Sequence, residues 1–185
     1  MKTSEMLRGK ETAVKRNKAR LIVYGALTLC VMGAIFFFSS QPAADSDAVS
    51  EGLLATALGR FLERLLPKLS DQGANHDIRK YAHMTEFFGL GLTGGMFFSE
   101  LTNSRKRRAL TAAVVTWLFC TFYACTDELH QIFVEGRACR ATDVGIDAIG
   151  FTAAILLVTA VYALIRRAKA VKEHKHIIKR VNIQG

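Results

Sequence analysis

Proline is scarce in this chain, with two residues in 185, and strand-like alternation of apolar and polar residues is rare. Collagenous and disordered chains carry proline, glycine or charge in excess, and all-β folds need many short alternating runs, so none of these classes fits. Four cysteines spread along the length do not make a disulfide scaffold. The Gly-x-Ser-x-Gly pattern of a nucleophile elbow is missing too. The most informative absence is of charge. Residues 21–38, 109–126 and 148–165 contain no Asp, Glu, Lys or Arg. A helix of that length spans about 27 Å, close to the hydrocarbon thickness of a bilayer. Half the residues are hydrophobic, yet the formal net charge is +9. Apolar and charged residues have segregated, where a soluble helical domain would interleave them.

A fourth window, 78–98, has the right length but carries Arg79, Lys80, His83 and Glu86 in its first half; its second half is uncharged and rich in glycine. The first apolar window is preceded by basic residues. It exceeds a typical signal-peptide core and is followed by Ser39-Ser40-Gln41-Pro42 rather than a small-x-small cleavage site, so a retained signal-anchor helix is expected. These windows define the expected fold: an all-α membrane protein with a bundle of four transmembrane helices.

Basic residues set the expected orientation. The N-terminal segment, the 99–108 loop and the tail from Arg166 onward hold 18 of the 25 Lys and Arg, against four of the 16 acids. Both termini and the 99–108 loop are therefore expected in the cytoplasm, with 39–77 and 132–142 outside. The organisation is a basic segment at 1–20, a membrane domain at 21–165 and a basic tail at 166–185. A pI near 9.7 could signal nucleic-acid binding, but basic residues flanking apolar spans explain it without nucleic acid. Contact with membrane lipids is the expected consequence. Within the long outer loop, 47–66 has apolar residues at helical spacing (Val49, Leu53, Leu54, Ala57, Leu58, Phe61), which predicts an amphipathic helix.

Ionisable side chains inside spans are costly and mark sites by default. Here they fall at one level. Arg79, Lys80, His83 and Glu86 open the second span; Asp127, Glu128, His130 and Gln131 close the third; Arg137 and Arg140 lie in the following loop; Asp143 and Asp147 open the fourth. Arg79, His83 and Glu86 are spaced i, i+4, i+7; Asp127, His130 and Gln131 are at i, i+3, i+4; Asp143 and Asp147 are at i, i+4. Each set forms one stripe of a helix. Gly91-x-x-x-Gly95, with Gly89 and Gly94, predicts close helix packing. Cys30, Cys120 and Cys125 are expected to be buried, and Cys139 to be exposed.

The runs Arg79-Lys80-Tyr81-Ala82-His83-Met84-Thr85-Glu86-Phe87, Asp127-Glu128-Leu129-His130-Gln131-Ile132-Phe133, Gly136-Arg137 and Asp143-Val144-x-x-Asp147-x-x-Gly150, with Ser39-Ser40-Gln41-Pro42 after the first span, resemble the VanZ-like family. The resemblance covers about residues 20–165 and is sharpest at Asp127–Gln131. It implies a bacterial multi-pass protein of the plasma membrane and cell envelope. The family's namesake is linked to resistance to teicoplanin, a lipoglycopeptide antibiotic acting on cell-wall precursors.

Three functions compete, beside a purely structural network of ion pairs. The first is binding of a lipid or cell-wall-precursor headgroup, with Arg79, Lys80, Arg137 and Arg140 on phosphate and the acids and amides on sugar or peptide groups. The second is an enzyme, a hydrolase or transferase on a headgroup, with His83 or His130 as base oriented by Asp127 or Glu86. The third is a divalent metal at His83, Glu86, Asp127 and His130. Arg79 and Lys80 oppose cation binding there, and no cofactor is expected. The expected function is the first, engagement of a headgroup.

Overall fold

The computed structural model describes residues 2–42, 74–102 and 108–184. The described chain is helical, with no strand among these residues. Its helices are α1 (Lys2–Ser39), α2 (Ala74–Leu101), α3 (Arg108–Gln131) and α4 (Ala141–Gln184). The amphipathic segment expected at 47–66 lies outside the described residues. At residues 20 and 166, the expected edges of the membrane domain, α1 and α4 continue without a break.

Among the described residues, three stretches are long and apolar enough to cross a membrane: Lys18–Ser39, Ala109–Gln131 and Ala141–Lys172. Their outward faces are apolar. Ile22, Leu29, Leu110, Phe122, Leu156 and Leu164 are all well exposed on the isolated chain. A surface of this kind, wrapped around buried Asp127, Glu128, Gln131 and Asp147, inverts the arrangement of a water-soluble bundle and suits a hydrocarbon solvent.

The helix with the most charge in its apolar stretch is the central one. α2 packs against α1, α3 and α4, whereas the backbones of α1 and α4 do not approach each other among the described residues. Gly25 faces Phe97 and Val31 faces Gly89, so α1 and α2 run antiparallel. Met84 faces Gly150 and Gly95 faces Val158, so α2 and α4 run parallel. Lipid offers no hydrophobic drive for helices to associate, so contact quality decides. The glycines supply that contact. A Cβ on Gly91 would lie 2.7 Å from the Phe151 carbonyl oxygen, and one on Gly150 would overlap the Met84 carbonyl. Only backbones without side chains reach this separation. Ile35, Phe87, Leu90, Cys120 and Phe151 fill the interior between these crossings, with Phe87 and Tyr123 rings 6.2 Å apart. Cys120 is buried as expected, but Cys30 and Cys125 are exposed, because they fall on outward faces of α1 and α3. Cys139 is exposed, as its loop position implied.

Two ends of the assembly carry polar contacts. At the end where α2 finishes and α3 begins, Arg20 pairs with Glu100 at 3.2 Å and the Tyr162 hydroxyl donates to the same carboxylate at 3.3 Å. At the opposite end, α1 and α3 finish, α2 and α4 begin, and the ionisable residues gather.

Candidate functional site

α1 stops at Ser39-Ser40-Gln41-Pro42. Ser40 Oγ donates to the Phe36 carbonyl at 2.6 Å and Gln41 Nε2 to the Phe37 carbonyl at 3.4 Å. Proline next in line cannot continue the helix. Two carbonyls at this end are also reached from the α3–α4 loop: Arg137 Nε donates to Gln41 O at 3.3 Å and its NH2 to Phe38 O at 3.5 Å. A guanidinium at a helix C-terminus also complements the dipole there. Gly136 aims it. Its φ of 73°, with the Arg137 N–H donating to the Val134 carbonyl at 3.1 Å, closes a turn that a residue with a Cβ would strain.

Two acids of α3 are held. Asp127 is buried, and its Oδ2 accepts from Ser39 Oγ and from Gln131 Nε2, each at 2.9 Å. Glu128 is buried, and its Oε2 accepts the Arg140 backbone N–H at 2.9 Å, which ties the loop to the helix. These bonds fasten α1, α3 and the loop into one frame.

The acid of α4 is different. Asp147 is 1% exposed, and neither carboxylate oxygen accepts a hydrogen bond. The imidazole of His83 stands across from it, with Nδ1 4.0 Å from Asp147 Oδ1. Arg137 NH1 faces the other ring nitrogen, Nε2, at 3.5 Å. Arginine only donates, so this contact requires Nε2 to be the bare nitrogen and turns the Nδ1 proton toward Asp147. The aligned set is Asp147, His83, Arg137 and the α1 terminus.

These groups border a recess of about 100 Å³, room for about three waters at their liquid volume. Glu128, Gln131 and Asp147 form buried walls; Lys80, His83, Arg137, Asp143 and Ile146 are intermediate; Gly136, Ala138 and Arg140 are exposed at the rim. Nine of the twelve residues singled out from sequence therefore meet here: Lys80, His83, Glu128, Gln131, Arg137, Arg140, Asp143 and Asp147 on the lining, and Asp127 behind Gln131. Three are placed otherwise. Glu86 lies one turn beyond His83 on α2 and does not line the recess; its Oε2 is buried without a hydrogen bond. His130 is also off the lining, with its ring 4.6 Å from that of Phe36. Arg79 is in α2, but its side chain is outside the described residues. Among the described residues no three His, Cys, Asp or Glu side chains are grouped to hold a metal ion.

Sequence reasoning did not single out Ser39 as a partner of Asp127, nor the α1 carbonyls as partners of Arg137. The serine was visible as the first polar residue after an apolar run. The carbonyls had no signal, because their partner comes 96 positions later.

Fold and site define a class: a multi-pass helical membrane protein with an acid-, base- and amide-lined recess at one end of its bundle. The chain belongs to the VanZ/LLP1 family, whose profile matches residues 24–164. No curated protein and no solved structure matches it.

Proposed function

We propose that this protein crosses the bacterial plasma membrane four times, with both termini in the cytoplasm. On this reading the recess opens at the outer leaflet, where it binds the headgroup of a lipid or a lipid-linked cell-wall precursor. The basic residues flanking the other end support the orientation. One observation carries the binding reading: the buried Asp147 carboxylate, without a hydrogen bond, faces a recess whose lining also carries the cations Lys80 and Arg140. Burying a carboxylate that accepts no hydrogen bond is costly, and an imidazole Nδ1 4.0 Å away offsets little of that cost. A self-satisfied structural network would not leave that cost standing, and a ligand donor entering the recess removes it.

The catalytic reading has less support. The bare Nε2 of His83, the nitrogen a general base would use, is turned toward Arg137, and His130 stacks on Phe36 away from the recess. A link to teicoplanin susceptibility follows naturally from the binding reading. A protein that holds precursor headgroups at the leaflet where a lipoglycopeptide acts changes the drug's access to them. The test is lipid retention. Protein purified from membranes is expected to carry tightly held lipid phosphate, and the double variant K80A/R140A to carry several-fold less. Wild-type protein free of lipid phosphate would refute the reading.

A further inference from the structure

The recess pairs opposite charges in an ordered way. Its cations Lys80 and Arg140 are partly or fully exposed, while its deepest acid, Asp147, is 1% exposed and accepts no hydrogen bond. The third cation, Arg137, reaches the α1 terminus and His83. The second buried acid, Glu128, accepts the Arg140 N–H. Asp143 on the lining comes one turn before Asp147 on α4. A purely anionic headgroup would be attracted by the rim and repelled by three lining carboxylates. A purely cationic group would meet the reverse. A molecule carrying both charges a short distance apart satisfies both parts of the lining.

Resting on the headgroup reading above, we infer that the recess selects a zwitterion in which a primary ammonium and a phosphate are joined by a short linker, the ammonium donating to Asp147 and the phosphate held by Lys80 and Arg140. The ammonium supplies what the buried carboxylate lacks: positive charge and N–H donors together. A quaternary ammonium has the charge without the donors, and a glycerol headgroup has hydroxyl donors without the charge. Phosphoethanolamine carries the required chemistry, either as a phospholipid headgroup or as a free metabolite. The recess volume of about 100 Å³ suits a short polar group.

The full chain, reconstituted in bilayers of equal parts phosphatidylethanolamine, phosphatidylcholine and phosphatidylglycerol and re-extracted, tests this by mass spectrometry of the retained lipid. Wild-type protein should enrich phosphatidylethanolamine about ten-fold over either competitor, the scale of one charge-assisted hydrogen bond. D147N should bring the ratio back to that of the bulk bilayer. Free phosphoethanolamine in excess would lower retained phosphatidylethanolamine if the soluble form fills the site, and would leave it unchanged if the lipid is the ligand; the same charge pair is read in both cases. Retained lipid in the bulk ratio on the wild type, or undiminished enrichment on folded D147N, overturns the zwitterion inference and leaves the headgroup reading intact. No retained lipid phosphate on the wild type overturns both.

Discussion

The α2–α4 crossing is the contact on which the recess depends, and Gly91→Ala probes it most directly. A Cβ there would lie 2.7 Å from the Phe151 carbonyl oxygen and 2.8 Å from its Cα. Ordinary van der Waals contact begins near 3.4 Å, so the two backbones would have to separate by about 0.7 Å. Backbone atoms cannot rotate away as a side-chain end can, so the cost belongs at the upper end of overpacking penalties, about 3 kcal/mol. Separation also acts at a distance. His83 and Asp147 sit on these same two helices, beyond the Met84–Gly150 contact, and stand 4.0 Å apart. Gly91→Ala should therefore lower the midpoint of thermal unfolding in detergent and reduce retained lipid together. Gly33→Ala is the control, because a Cβ at Gly33 meets nothing within 4 Å; it should be neutral or stabilising by up to about 1 kcal/mol. A Gly91→Ala protein as stable as wild type would show that the crossing is not close-packed, and the argument placing the recess between α2 and α4 would fail with it.

Other expectations follow from the same contacts. Ser39→Ala removes one of the two bonds to Asp127 Oδ2 and should cost about 1 kcal/mol or more in chemical unfolding; Ser39→Thr, which keeps the hydroxyl, should recover part of it. At the far end, Arg20→Ala strands the Glu100 side chain, which is 3% exposed, with the Tyr162 hydroxyl alone. The reverse change, Glu100→Ala, leaves an Arg20 side chain that is already 42% exposed and can turn to solvent. The first should cost about 2 kcal/mol and the second less than about 1; equal losses in paired thermal melts would contradict this. For orientation, Cys139 is exposed in the α3–α4 loop, so a membrane-impermeant maleimide added to intact cells should label it. A cysteine at Arg105, in an otherwise cysteine-free chain, should stay unlabelled until the cells are opened. The opposite pattern would put the recess on the cytoplasmic side.

Much of this architecture was legible in the sequence for a physical reason. Lipid-facing helices need unbroken apolar surface, so α1, α3 and α4 announced themselves as stretches without charge. The same reason explains why α2 looked anomalous. As the central helix it need not present a uniformly apolar exterior, and it can hold Lys80, His83 and Glu86 against its neighbours. Spacing also placed the ionisable residues at one level, because helical rise converts sequence position into depth. What spacing could not provide was direction. His83 and His130 were equivalent candidates as bases, yet one lines the recess and the other stacks on Phe36. Cys30 and Cys125 were expected inside with Cys120, but small apolar side chains are tolerated on either face of a span. The route of the α3–α4 loop, fixed by the Gly136 turn, sends Arg137 to carbonyls 96 and 99 positions away.

Charge counting alone also left the cluster undivided. Four cations against five carboxylates is what a structural network and a ligand site would both show. The hydrogen bonds separate the two. Asp127 and Glu128 spend acceptors on Ser39, Gln131 and the Arg140 backbone, while Arg137 spends donors on the end of α1. Their geometry fixes where helices end, and replacing any of them should act first on stability. Asp147 makes no such bond, although it is the most deeply buried acid of the set. A frame that holds Asp127 and Glu128 and leaves Asp147 facing a recess separates holding from binding residue by residue. Asp127→Asn should therefore shift unfolding more than headgroup selectivity, and Asp147→Asn should shift selectivity more than unfolding. The two variants, compared in one bilayer, would fail to diverge if the cluster were a single structural network.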